Sequence, residues 1–154
     1  MTADEEYMTL CIELAKKAAE KGECPVGAIV VDRNGCVIGK GYNKRETCNS
    51  PTAHAEILAI EEAARKLNSW RLSDCTLYVT LEPCPMCAGA IINARVPRVV
   101  FGTPDLRFGA FGSLLNLAEL PLNHKPELVG GVLGDECREM LTEYFRKKRK
   151  KRPL

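Results

Sequence analysis

The sequence predicts a single α/β domain. Three observations carry that expectation: helix-period and strand-period segments alternate along the chain, β-branched runs are bounded by glycine and proline, and no linker, repeat or low-complexity stretch interrupts the first 145 residues. The chain has 154 residues, 45% of them hydrophobic and 27% charged, which is enough to bury a core without disulfides or metal. Residues 1–145 are read as the domain and 146–154 as a basic C-terminal tail continuing the last helix.

In EEYMTLCIELAKKAAEKG, residues 5–22, Met8, Cys11, Ile12, Ala15 and Ala19 recur near the helical period and Gly22 supplies a stop. GAIVVDRNGCVIGKGYN then reads as a hairpin turned at Asn34-Gly35. After the polar loop KRETCNSPT, Ser50 or Thr52 is placed to cap a helix through AHAEILAIEEAARKL. That helix is expected to turn Ile57, Ile60, Ala64 and Leu67 inward and to pair Glu61 with Arg65 and Glu62 with Lys66 in water. CTLYVT reads as a strand, PMCAGAIINAR as a helix starting at Pro83 or Cys84, and RVVFG as another strand. TPDLRFGAFGS is glycine-rich with Arg107, Phe108 and Phe111 interleaved, the mark of a shaped surface loop. PELVGGVL is a short strand, and DECREMLTEYFRKKRK a closing helix that offers Leu141, Tyr144 and Phe145 to the core.

The acidic start MTADEEYMTL lacks the basic and apolar regions of a secretory signal, and no run reaches the ~18 apolar residues of a membrane span. A cytoplasmic protein without membrane contact is expected. Its eight cysteines are accordingly read as reduced thiols, with Cys11, Cys24, Cys36, Cys48, Cys75 and Cys137 as small semi-apolar fillers. Trp70 and the four tyrosines read as packing residues with wet tips, and His124 as an exposed loop residue. RKKRKKR at 146–152 holds seven of the 22 basic residues, leaving 15 bases against 20 acids in residues 1–145. A basic tail on a mildly acidic body points to a polyanion, the plain alternative being a solubility appendage.

Only Cys84 and Cys87, in LEPCPMCAGA, have metal-ligand spacing. They could be a redox dithiol, half of a closed structural zinc site, or half of an open zinc site that does chemistry on water. An open site needs a third protein ligand, and His54 in AHAEIL is the natural choice. Glu56 stands two residues on, about 200° around a regular helix from His54, so the two converge only if both lie in the first turn. His-x-Glu followed by Pro-Cys-x-x-Cys, each at a helix start, is the signature of zinc nucleobase deaminases. Zinc brings the pKa of water towards ~7, and Glu56 has the chemistry to pass a proton to a ring nitrogen and then to a departing amine.

With PVGAIVV, GYN, PTAHAEILAI, TLYVTLEPCPMCAGAII, RVVFG, NHK, GDECREML and YFRKKRK in order over about residues 5–150, the sequence resembles the tRNA-specific adenosine deaminases of the cytidine-deaminase-like superfamily. The resemblance implies a three-layer α/β/α sandwich with a mostly five-stranded mixed sheet, and a homodimer. It also implies one zinc per subunit and hydrolysis of adenosine to inosine at the wobble position of a tRNA anticodon stem-loop. By the same likeness His54, Cys84 and Cys87 match the zinc ligands and Glu56 the proton shuttle, while Val26, Asn43, Ala55, Asp105 and Arg107 match positions that meet the substrate. The segment GTPDLRFGAFGS departs from the family's G-x-x-D-x-K-x-G-A-x-G-S: Arg107 replaces lysine, and Pro104, Phe108 and Phe111 are unusual. Two rivals remain at this point. One is a deaminase of free guanine or cytosine, against which the basic tail argues, since a free base offers no phosphates. The other is a non-catalytic zinc module closed by Cys48 or Cys75.

Overall fold

The computed structural model describes residues 1–150. In chain order the elements are α1 (Ala3–Glu20), β1 (Gly27–Val31), β2 (Val37–Tyr42), α2 (Ala55–Leu67), β3 (Thr76–Leu81), α3 (Pro85–Asn93), β4 (Arg98–Thr103), β5 (Glu127–Val129) and α4 (Gly134–Lys150). The strands form one sheet in the order β2-β1-β3-β4-β5. β1 runs antiparallel to both its neighbours, and β3, β4 and β5 run parallel. The result is the expected three-layer sandwich over a mixed five-stranded sheet.

The central strands are apolar at nearly every position because both faces are covered. Ala28, Val30, Leu77, Val79, Val99 and Phe101 pack in one core with α2 and α3. Ile29, Val31, Tyr78 and Val100 alternate with them into a second core, built on Met8, Cys11 and Cys137 from α1 and α4. α1 starts with a capping box: Thr2 Oγ1 accepts the Glu5 N–H at 3.1 Å and Glu5 Oε1 accepts the Thr2 N–H at 2.9 Å. Asp4 ties this turn to the sheet, taking both terminal nitrogens of Arg98 at 3.0 and 2.8 Å and the Tyr78 hydroxyl at 2.7 Å.

α2 departs from expectation. Its fully buried face is Ala55, Glu56, Ala59 and Ala63; of the residues expected inward, Ile60 and Ala64 pack half-buried against the core, while Ile57 is half-buried away from it and Leu67 is exposed. The cause lies in β2. Added Cβ atoms at Gly39 and Gly41 would overlap the carbonyls of Ala59 and Ala55, so glycine on the strand meets alanine on the helix and the two backbones almost touch. Neither expected surface pair forms among the described residues; Glu62 instead accepts the Lys40 backbone N–H at 2.8 Å on the outermost strand. Neither Ser50 nor Thr52 caps the helix, because His54 is the N-cap residue.

Other corrections are local. Cys137 is the one fully buried α4 residue; Leu141 and Tyr144 are half-buried and Phe145 is exposed, with Leu141 and Phe145 facing a cleft instead of the core. The basic run continues α4 through Lys150, and residues 151–154 lie outside the described residues. His124 is not a free loop residue, since its Nε2 lies 2.7 Å from the Val96 carbonyl oxygen and ties its loop to the start of β4. Trp70 is exposed, with the guanidinium groups of Arg71 and Arg95 at 4.5 and 5.7 Å from its ring centre. All eight cysteines are free thiols; Cys36 and Cys48 are exposed and so fill nothing.

Gly39→Ala should cost about 2 kcal/mol or more of stability, because the methyl meets helix backbone that has nowhere to go. Urea unfolding with an unchanged slope and a lower midpoint is the expected readout.

Candidate active site

The site forms where two helices begin. His54 precedes α2 in extended conformation, φ −79° and ψ 152°, and Glu56 is the second residue of the helix proper. The angular separation of a regular helix therefore does not apply to them. Cys84 precedes α3 in the same way, φ −74° and ψ 172°, with Pro85 opening the helix and Cys87 one turn further on. Neither His54 nor Cys84 spends its side chain on a cap hydrogen bond.

These backbones bring His54 Nδ1 to 3.7 Å from Cys84 Sγ and 3.5 Å from Cys87 Sγ. One ligand atom from each of the three lies within 4.8 Å of the other two. Tetrahedral zinc with bonds of about 2.0–2.3 Å sets its ligands roughly 3.5–3.8 Å apart, so the donor set and its spacing fit that ion. Neither Cys48 nor Cys75 belongs to the cluster; Cys75 sits in the core beside Leu72 and Cys48 on an exposed loop, so neither thiol closes a fourth position.

The adjacent Cys87 and the His54 hydrogen bond, against the cost of burial, bring the Cys84 thiol down to about 4. Donating to Cys84 raises Cys87 far above the ordinary thiol range, burial adding to it, and the hydrogen bond with Cys84 also raises His54. Glu56 is 4% exposed, and above all its burial pushes it up to about 7. A carboxyl near neutrality is suited both to take and to give a proton.

A cleft of about 620 Å³ opens over these groups. His54, Glu56 and Cys84 line it, as do Val26, Asn43, Ala55, Asp105 and Arg107, while Cys87 lies buried beneath. Asn43 Oδ1 accepts the Arg45 N–H at 3.2 Å, which leaves its NH₂ to donate. Asp105 Oδ1 is engaged within its own loop by the N–H groups of Arg107 and Phe108, at 3.1 and 3.2 Å. The remaining wall includes Cys24, Leu106, Phe108, Leu141 and Phe145, so α4 residues expected in the core form part of the site.

Two further carboxylates shape the walls, and sequence reasoning missed both. Glu23, 1% exposed, accepts the N–H groups of Glu46 and Thr47 at 3.1 and 2.6 Å and the Thr47 hydroxyl at 2.7 Å, anchoring the loop after Asn43. Glu82, 2% exposed, accepts the N–H groups of Asp105, Phe111 and Ser113 at 3.1, 3.0 and 3.1 Å, together with the Ser113 hydroxyl, anchoring the loop of residues 104–113. Nothing in the composition separates such acids from surface ones. The one available signal was a glycine-rich loop rich in N–H donors with no strand to pair with.

Burial works to raise Glu23, but the bonds from Thr47 and Glu46 prevail and hold it below its ordinary 4.5. A depressed carboxylate stabilises the fold fully above that value and loses its contribution as pH falls through the folded pKa. The stability gap between wild type and Glu23→Gln should therefore be constant above about pH 4.5 and narrow below it, as read by urea unfolding at a series of pH values.

Residues 1–103 match the protein family described as the cytidine and deoxycytidylate deaminase zinc-binding region. The chain is 54% identical over 153 residues to the tRNA-specific adenosine deaminase of Bacillus subtilis strain 168, covering 99% of this chain and 94% of that one. Among solved structures, one from a study of A-to-I editing by tRNA:A34 deaminases at the wobble position of transfer RNA superposes with a TM-score of 0.84 at 39% identity, over 88% of this chain and 99% of that one. A guanine deaminase from Nitrosomonas europaea superposes with a TM-score of 0.77 at 28% identity, over 91% of this chain and 83% of that one.

Proposed function

The chain belongs to the tRNA-specific adenosine deaminases, within the zinc-binding cytidine and deoxycytidylate deaminase family, and from that membership we propose that it hydrolyses adenosine to inosine at the wobble position of a tRNA anticodon stem-loop. The observation that carries the reading is the juxtaposition of a zinc-type donor set with the buried Glu56 carboxyl at the foot of one cleft. The free-base alternative has weaker support, since identity falls from 54% with the tRNA enzyme to 28% with the guanine deaminase.

His54, Cys84 and Cys87 would hold the ion, which supplies Lewis-acid activation of water near neutral pH. Glu56 takes the proton from the attacking water and delivers it to ring nitrogen N1 as oxygen bonds to C6. It then moves the second proton of that water to the exocyclic amine, the C6–N bond breaks, ammonia leaves and the carbonyl of inosine remains. Asn43 donates from its NH₂ to the base or ribose, and Val26 and Ala55 give the base an apolar seat. Asp105 and Arg107 stand at the rim, where Arg107 faces the phosphate chain.

The basic end of α4 suits the same partner, carrying Arg146, Lys147, Lys148, Arg149 and Lys150 in one exposed stretch. A homodimer is part of the reading: Leu114, Leu115, Leu120 and Leu122 are exposed within one nine-residue segment, apolar side chains that a second copy could cover. No helix among the described residues is long and apolar enough to cross a membrane, and a tRNA substrate supports the reading of a cytoplasmic enzyme.

Sequencing total tRNA for inosine after incubation with the protein is the direct test. Glu56→Ala should lower kcat roughly 100-fold or more with zinc still bound, whereas Cys87→Ser should lose both metal and activity and Cys75→Ser neither. Elemental analysis beside the activity assay separates the three. Equal zinc loss in both cysteine variants would mark the site as structural.

A further inference from the structure

Resting on the RNA-deaminase reading, we propose that Phe108, with Leu106 beside it, is a stacking platform for the base next to the target adenosine, and that Glu82 is the positioning residue that holds this platform at the mouth of the cleft. Leu106 is 82% and Phe108 60% exposed, yet both line the cleft that contains His54 and Glu56. Two large apolar side chains offered to water at the rim of a reaction cleft lose nothing by being covered by a ligand.

The rim favours one kind of occupant. Arg107 lies between the two apolar residues and also lines a neighbouring cavity of about 580 Å³ with Phe145, Lys148 and Arg149. Apolar and aromatic faces alternating with three cations match a single strand of RNA, whose unstacked bases want planar apolar partners and whose phosphates want charge. An enzyme that takes one base out of a loop leaves its neighbour unstacked, and a face beside the target pocket recovers that stacking.

The platform is built rather than floppy because of Glu82. Its carboxylate gathers four donors from the loop, and among the described residues no cation pairs with it. Pro83 O accepts the Ala110 N–H at 2.9 Å, and Asp105 O the Gly109 N–H at 2.8 Å, closing the turn that pushes Leu106 and Phe108 outward. A Cβ at Gly109 would overlap the Glu82 carboxylate, so the loop is moulded on it. In Glu82→Gln an NH₂ group replaces one acceptor and faces N–H or O–H donors, so part of the loop must let go.

The test uses a stem-loop RNA with 2-aminopurine in place of the nucleotide on either side of the target adenosine. With wild type, stacking on Phe108 should quench one of the two probes on binding. Phe108→Ala should abolish that quenching and raise KM at least about five-fold with kcat within two-fold, the loss expected for one stacked base, and Phe108→Trp should restore both. Glu82→Gln should give the same KM-dominated defect with full zinc content, and the Glu82→Gln/Phe108→Ala pair should be no worse than the worse single variant. Ser113→Ala, which removes only one of the four donors, should show a smaller defect in the same direction and serves if Glu82→Gln does not fold.

Unchanged quenching and KM in Phe108→Ala, while the wild type still forms inosine, would sink the platform and leave the activity standing. A wild type that forms no inosine on any stem-loop would take the platform down together with the RNA reading. Fully additive effects, or zinc loss in Glu82→Gln and Ser113→Ala, would show that Glu82 does not act through the loop. If Phe108→Ala instead shifts the oligomeric state in sedimentation, the face belongs to a second copy and the proposal fails.

Discussion

The position of the whole site depends on how closely α2 can lie on the edge of the sheet. With Gly39 and Gly41 below and Ala55, Ala59 and Ala63 above, helix and strand backbones meet with almost nothing between them. That contact sets the height of the first turn of α2 over the sheet, and with it His54 and Glu56. The thiols come from elsewhere, at the end of β3 and the start of α3. A bulkier residue at either glycine would lift the histidine and the carboxyl together away from two cysteines that had not moved. Side chains held within 3.5 to 3.7 Å of one another leave little tolerance for such a shift.

Both helices also end their regular geometry in the same useful way. His54 and Cys84 stand just outside the helical turns, extended, with side chains free to point into the cleft. Behind them the unpaired N–H groups of two first turns carry partial positive charge, which favours thiolate and carboxylate nearby. Burial opposes this at Glu56 and prevails, leaving a carboxyl near neutrality within reach of a strongly acidic thiol at Cys84. The division of proton affinities comes from depth and partner, not from residue type alone.

Much of this was legible in the sequence because it depends on spacing. The alternation of elements, the Asn34-Gly35 hairpin and the pairing of His-x-Glu with Pro-Cys-x-x-Cys survive without knowledge of contacts. The inward face of α2 is only partly legible: Ile60 and Ala64 reach the core as the periodicity implies, but the closest contact belongs to Ala55, Ala59 and Ala63, because only alanine fits against glycine at this distance. Phe145 was misread because the apolar pattern of α4 does not tell a core from the wall of a cleft. Glu23 and Glu82 were invisible for a different reason. An acid's role as an anchor is fixed by the backbone N–H groups that surround it, and those come from loops 23 or more residues away in sequence.

That last property bears on how such a site can vary. The zinc-type cluster is specified by side chains, so each of its members is hard to replace. The rim is specified by a carboxylate reading backbone N–H groups, which every residue but proline carries. Asp105, Phe111 and Ser113 meet Glu82 through their main chain, Ser113 adding its hydroxyl, and the side chains at 106, 107 and 108 take no part. A loop held in this manner can vary its side chains at 106, 107 and 108 without disturbing the shape that presents them. The unusual sequence of residues 103–113 therefore alters what the mouth of the cleft offers while the groups at its foot stay where the glycine–alanine contact and the two helix starts put them.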